Sequence, residues 1–241
     1  MVPLPLPFLR NTNLDNTIFL AKTSCLDPRI SSITPLDHIT NNKFVPRKTD
    51  ALFWIFYIII NGFSEYELIG SNSFEVETTE KYRLIELLRK KEYKDILKKN
   101  KITKIKEDLE DDLGHKERIT HKTFFALCYA HKINVLFLHR QKCFQVHGGN
   151  PEDIYHVVRK YDPPDENPHG NFKYVYEVEA TDKDREKYKN TFFQWECIDR
   201  PLKAISYYKV KDLTDICVLL KLTEYSKKNK QEIYDMLINI L

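Results

Sequence analysis

The chain has 241 residues, with 38 Lys or Arg against 35 Asp or Glu, a formal net charge of +3 and a 42% apolar fraction. That length suits one medium domain with a small appendage, and the apolar fraction is enough for a packed core. So small a charge excess does not by itself imply nucleic-acid binding, and the placement of the charge has to decide. The five cysteines, Cys25, Cys128, Cys143, Cys197 and Cys217, are odd in number, scattered and without a CxxC pair. This argues against a disulfide framework and for a reducing, intracellular setting.

Residues 1–48 hold six of the eleven prolines among many Asn, Thr and Ser, show no sustained period, and read as an extended N-terminal arm. Met1–Arg10 lacks the basic and long apolar regions of a signal peptide. Thr49 and Asp50 then offer an N-cap, Ala51–Asn61 is apolar nearly all round, and Gly62 is a stop. Such a helix must be covered on most sides, so it is expected at the centre of a main domain over residues 49–200. Its apolar run is half of the roughly 20 residues a membrane crossing needs, so no membrane span is expected.

Residues 79–99 read as a second helix, with Tyr82, Ile85, Leu88, Tyr93, Ile96 and Leu97 at helical spacing. Ile102, Ile105, Leu109 and Leu113 continue a similar stripe to Gly114, and Thr120–His131 reads as a further helix with Phe124, Leu127 and Cys128 inward. The pattern then changes. Ile133–Leu138 and Lys142–His147 are β-rich runs joined by the short link His139–Gln141, which predicts a hairpin. Ile154–Tyr161 and Phe172–Glu179 read as two more strands, with Asp162–His169 a proline-rich loop between them. Helices followed by an antiparallel sheet make the expected class α+β. Arg200-Pro201 is a plausible boundary before the last segment.

In residues 205–241, Val210, Leu213, Ile216, Cys217 and Leu220 lie at helical spacing. A polar turn, Thr223–Asn229, follows, and Ile233, Leu237 and Leu241 mark a second amphipathic helix. The spacing of Val210, Leu213, Ile216, Leu220 and Leu222, and then of Lys230, Ile233 and Leu237, resembles the SAP family of DNA-binding helical hairpins. Lys221 and Lys228 stand where that family usually has glycine. The resemblance implies phosphate contacts. Lys209 and Lys211 open the first helix, and Lys227, Lys228 and Lys230 cluster at the opening of the second. Lysines beside unpaired helix-start N–H groups suit a phosphate. Asp212, Asp215, Glu224, Glu232 and Asp235 dilute that field. The other reading is a hairpin that only packs on the protein or on a partner.

A secondary basic patch is expected from Arg89, Lys90, Lys91, Lys94, Lys98 and Lys99, part of a lysine-rich stretch that precedes five acids in Glu107–Asp112. Either it contacts an anionic partner, or its cations pair with those acids on a solvated face.

A buried helix near the start, more helices and then a sheet resembles the element order of papain-like and ovarian-tumour-type (OTU-like) cysteine proteases. Those carry a cysteine at the start of the central helix. Here that helix has Ala51 and Ile55, and no cysteine lies between Cys25 and Cys128. The resemblance therefore implies a non-catalytic relative, and no catalytic residue is assigned. Cys128, His131, His139, Cys143 and His147 fall within twenty residues, but no knuckle spacing anchors a zinc site, so no metal is expected. Gly148-Gly149 is too little for a phosphate loop, and no other cofactor motif occurs.

The Lys- and Asn-rich composition, the Leu52–Ile60 helix followed by Asn61-Gly62 and the SAP-like tail together resemble proteins of nucleocytoplasmic large DNA viruses. The expectation is a non-enzymatic viral protein bound to DNA or another nucleic acid, in host cytoplasm, nucleus or virion, with protein partners on its main domain. The alternatives are a degenerate cysteine-protease fold and a structural virion protein that uses the hairpin for protein contacts.

Overall fold

Helix α1 (Ala51–Asn61) begins where the sequence offers its cap. Asp50 Oδ1 accepts a hydrogen bond from the Phe53 N–H at 3.2 Å, and Gly62, at φ 86°, ends the helix. Leu52, Phe53, Trp54, Ile55, Phe56 and Ile58 are all buried, as an all-round apolar helix requires. The computed structural model describes residues 39–40, 43–162, 173–177, 181–195 and 202–241. Most of the expected arm, the proline-rich loop beyond Asp162, the Arg200-Pro201 boundary, Cys25 and Cys197 lie outside the described residues.

Before the sheet come α2 (Phe63–Leu68), α3 (Ser73–Arg89), α4 (Lys91–Lys99), a π-helical turn at Ile105–Glu110, α5 (Asp111–His115) and α6 (His121–Ala130). Thr120 caps α6 through its hydroxyl, which accepts from the Thr123 N–H. The single helix expected over 79–99 is instead two, starting earlier at Ser73 and broken at Lys90, whose ψ of 144° is extended. Geometry explains the break. Leu88 and Leu97 would face opposite sides of one straight helix at about 100° per residue. The break lets both enter the same core.

The strands are β1 (Ile39–Thr40), β2 (Lys43–Phe44), β3 (Asn134–His139), β4 (Lys142–His147), β5 (Tyr155–Tyr161), β6 (Lys173–Glu177) and β7 (Phe193–Gln194), ordered β1-β2-β6-β5-β3-β4-β7. The β3–β4 hairpin forms, turning at Arg140–Gln141. The fold is α+β, but the sheet is mixed and not antiparallel as expected. β5 lies parallel to β3, from Asn134↔Tyr155 to His139↔Lys160, and β7 lies parallel to β4. After β4 the chain crosses to the far side of β3, so β5 enters in β3's own direction. Gly148 allows this close passage, because a Cβ there would sit 2.5 Å from the Ile133 carbonyl oxygen.

Both faces of β3 are covered. Val135 and Phe137 join the core built on α1, α3 and α6. Leu136 and Leu138 join Cys143, Tyr155 and Val157 on the other face, under Tyr188 and Phe192. This double burial is why the strand reads as a continuous apolar run. Tyr188 belongs to α7 (Asp182–Thr191), a helix whose charged sequence shows no apolar stripe. Thr181 and Asp184 start it with a reciprocal capping box.

The last segment forms α8 (Val210–Leu219) and α9 (Lys230–Ile240), in contact with each other. Leu213, Cys217, Ile233 and Leu237 close a small core that also takes in Phe193 of β7 and Leu202. Helices of about three turns are marginal alone. Each fully buried side chain here contributes about 1.5–3 kcal/mol relative to exposure. Lys142 Nζ on β4 adds a polar tie, donating to the carbonyls of Ile240 (3.3 Å) and Leu241 (3.2 Å).

Candidate functional site

On the hairpin, Lys209, Lys211, Lys227 and Lys228 are exposed and Lys230 is half-buried. The helix-start N–H groups next to them are partly satisfied within the protein. The Asp212 carboxylate accepts from the Lys209 N–H at 2.7 Å, and Glu232 accepts from the Asn229 N–H at 2.8 Å. Asn229 Oδ1 in turn accepts from the Glu232 N–H at 3.0 Å. The lysine ammonium groups, more than the helix ends, are therefore what the hairpin can offer a phosphate.

The end of α8 accounts for one of the missing glycines. Lys221 has φ 58°, the left-handed conformation. The Leu222 N–H bonds to the Cys217 carbonyl at 2.9 Å and the Lys221 N–H to the Val218 carbonyl at 3.0 Å. That is a complete Schellman ending with lysine in the glycine place.

The second basic patch is split by the Lys90 break. Arg89 forms a two-pronged pair with Glu110, at 2.7 and 3.1 Å, which joins the end of α3 to the acidic stretch. Lys90, Lys91, Lys94, Lys98 and Lys99 are exposed. Arg89 is thus a surface ion-pair residue, and the exposed lysines remain as a diffuse positive face.

The described cysteines offer no accessible thiolate. Cys128, Cys143 and Cys217 are buried. Burial pushes the Cys143 thiol up to about 12 and raises the other two as well. Among the described residues no three His, Cys, Asp or Glu side chains converge as a metal site. His139 Nε2 meets Asp162 at 2.8 Å, His147 Nδ1 meets the Tyr155 hydroxyl at 2.8 Å, and His131 packs against Phe56.

A cavity of about 630 Å³ opens where α1 and α6 both begin. Its walls come from four separate stretches of chain. Arg47 and Lys48 lie on the segment entering α1, Arg118 and His121 where α6 starts, Lys160 on β5 and Lys173 on β6. Lys160 stands directly opposite Tyr174 across the β5–β6 ladder, and Tyr174 also lines the space. Burial, and next Asp50, push the Tyr174 hydroxyl up to about 12 against the pull of Arg118. Lys48 Nζ sits 3.9 Å from the Trp54 ring centroid and 4.3 Å from that of Tyr66.

Asp50 is the carboxylate in this lining, and both of its oxygens are engaged. Oδ1 serves the α1 cap, while Oδ2 accepts from the Ile119 N–H at 3.0 Å and pairs with Lys81 at 2.7 Å. Asp112 holds the neighbouring turn, accepting from the Thr120 N–H at 3.0 Å and from the Thr120 and Thr123 hydroxyls at 2.5 Å. Ala51 occupies the helix start, with no nucleophile there.

No family model, curated protein or solved structure matches this chain. The cations of the cavity are spread from residue 47 to residue 173 with no local motif among them, so no sequence pattern marks it.

Proposed function

We propose that this protein is a non-enzymatic, nucleic-acid-associated factor that grips the phosphate backbone of DNA through its SAP-like C-terminal hairpin. Lys209, Lys211, Lys227, Lys228 and Lys230 would hold phosphates, positioning the protein without reading sequence. The observation that carries the reading is the hairpin itself. Two amphipathic helices close on Leu213, Cys217, Ile233 and Leu237, and Lys209, Lys211, Lys227 and Lys228 are left exposed beside the half-buried Lys230. The Schellman ending at Lys221 adds support, since the local geometry is the one a glycine would give. A resemblance in composition and in the SAP-like tail to proteins of large DNA viruses supports a setting in the infected cell or the virion for such a factor. The test is a gel shift on duplex DNA with Lys227, Lys228 and Lys230 replaced by Ala. If this variant keeps the parent's melting temperature and its DNA affinity, the reading fails.

A second reading, a non-catalytic relative of papain-like or OTU-like cysteine proteases, is favoured by one observation. The cavity opens at Ala51 on the central helix and also takes in His121. An Ala51→Cys variant that reacts with a thiol-directed activity probe far faster than free cysteine would support it. Ordinary thiol reactivity would count against it.

A further inference from the structure

We infer that α3 is a self-docking surface, on which a second copy of this chain packs its own α3 antiparallel about a two-fold axis at Tyr82. Phe74, Thr78, Tyr82, Glu86 and Lys90 follow one another at steps of four along α3 and just past its end. Residues at that spacing form one ridge on one side of a helix. All of them except the half-buried Thr78 are exposed. Phe74, at 83%, is the most exposed large apolar side chain among the described residues, and Tyr82 is 59% exposed. Leu68, also exposed, precedes Phe74 across the short turn Gly70–Asn72.

Charge selects the occupant. Residues 61–80 hold five Asp or Glu and no Lys or Arg, whereas residues 89–106 hold nine Lys or Arg and two acids. Helix α3 thus joins an acidic end to a basic end. At the acidic end Glu77 is engaged by Lys81 and Trp54, and Glu80 by Arg83. At the basic end Arg89 is held by Glu110. Glu67 and Glu75, and Lys90 and Lys91, are exposed and make no ion pair among the described residues. A second α3 laid antiparallel sets each unmatched acidic end on an unmatched lysine end and aligns the two helix dipoles favourably. A parallel arrangement would set acid on acid and lysine on lysine. Phe74 and Lys90 lie eight residues to either side of Tyr82, about 12 Å along the helix axis. Two-fold symmetry therefore lays Tyr82 on its own copy, Thr78 against the second copy's Glu86, and Phe74 against the second copy's Lys90. These contacts are an aromatic pair, a hydroxyl donating to a carboxylate, and an ammonium on an aromatic face. A crossing of about 20°, usual for antiparallel neighbours in helix bundles, keeps both ends of the ridge in reach.

Sedimentation velocity of the full-length protein, without DNA, should show a monomer–dimer equilibrium that moves to dimer as concentration rises into the hundreds of micromolar. Tyr82→Lys, which sets two ammonium groups against each other on the axis, should weaken the dimer at least about tenfold. Tyr82 is exposed, so the melting temperature of that variant at low concentration should hold. Glu75→Lys alone should weaken the dimer about tenfold, and Lys91→Glu added to it should restore the affinity, since the swapped ends match again. Under mild oxidation Tyr82→Cys should cross-link to its own copy beyond the parent's level, because a residue on the axis meets itself. Lys98→Cys, equally exposed but on α4, should not. The inference is overturned if the parent stays monomeric over that range. It is equally overturned if Tyr82→Lys dimerises like the parent, or if Lys98→Cys cross-links as readily as Tyr82→Cys.

Discussion

Lys81 and Asp50 meet at 2.7 Å in the interior, with side chains only 8% and 1% exposed. The contact joins α3 to the start of α1, and Asp50 extends it to the segment before α6 through the Ile119 N–H. Burial raises the Asp50 carboxyl against the pull of Lys81. Burial also opposes the charge on Lys81, but Asp50 and Glu77 more than offset it, and the ammonium is held above its ordinary value. Removing one partner strands the other. Asp50→Ala would leave a buried ammonium with Glu77 alone and the Phe53 and Ile119 N–H groups unserved, so a loss of about 3–5 kcal/mol is expected. The paired change Asp50→Asn with Lys81→Met should cost clearly less than Asp50→Ala. Urea unfolding of the variants checks this, and a loss under about 1 kcal/mol for Asp50→Ala would show that the pair does not organise the domain.

The histidines set a direction for pH. Burial pushes His156 from its ordinary 6.5 down to about 4, with its Nδ1 2.9 Å from the Tyr176 hydroxyl. Burial is also the leading cause of lowered values at His131, His139 and His147. A histidine with a depressed folded value favours the neutral form in the fold. Between about pH 4 and 6.5 the unfolded chain then binds more protons than the folded one, and stability rises with pH. The stabilisation is present above the ordinary value and is lost as pH falls through the folded one. One such group contributes at most about 1.4 kcal/mol per pH unit. Denaturation followed from pH 7.5 to 4.5 should show falling stability, and His156→Gln should flatten the curve. An unchanged slope in that variant would assign the acid sensitivity elsewhere.

How far the sequence carried the fold depends on how local each signal is. Asp50, the apolar run after it and Gly62 are contiguous, so α1 was readable to the residue. The hairpin's stripe, Leu213 to Leu237, was readable for the same reason. Strand direction was not, because Tyr155–Tyr161 has the same pattern whether it runs along or against β3. Nor was α7, which has no buried residue and sets only the half-buried Tyr188 and the Phe192 that follows it against the apolar core. The break at Lys90 depends on which core Leu97 reaches, a tertiary matter. The cavity is the extreme case, since five cations from four stretches have no sequence period at all.

Three helices end with a lysine in the left-handed conformation: Lys101 after α4, Lys132 after α6 and Lys221 after α8, at φ 62°, 56° and 58°. Each closes a Schellman pair, as with Ile102 N–H to the Leu97 carbonyl and Ile133 N–H to the Cys128 carbonyl, both 2.9 Å. A Cβ in this region costs about 1–2 kcal/mol, of which glycine's larger unfolded-state freedom takes back part. Lys221→Gly should therefore stabilise by about 1 kcal/mol in thermal or urea unfolding. A destabilised Lys221→Gly would mean that the hairpin ends α8 in some other way. DNA affinity should hold in this variant, because Lys221 stands outside the proposed phosphate-holding set.

The hairpin's six lysines face five acids, so its net field is slight and its affinity should rest on individual phosphate contacts. Contacts of this kind are counted by salt. On duplex DNA the logarithm of affinity falls against the logarithm of salt with a slope of about −0.9 per neutralised phosphate. Five lysines in contact predict a slope near −4.5, and replacing Lys227, Lys228 and Lys230 by Ala should reduce its magnitude by about 2.7. Lys209 and Lys211 replaced together should reduce it by about 1.8. The docked core of Phe193, Leu202, Leu213 and Leu237 makes point changes the right tool, since deleting the hairpin would bare the edge of the sheet at β7. Loss of affinity should be uniform across DNA sequences, as expected of phosphate contacts. A slope that stays at the parent's value in both lysine variants would move the DNA contacts off the hairpin and onto the exposed lysines of α4.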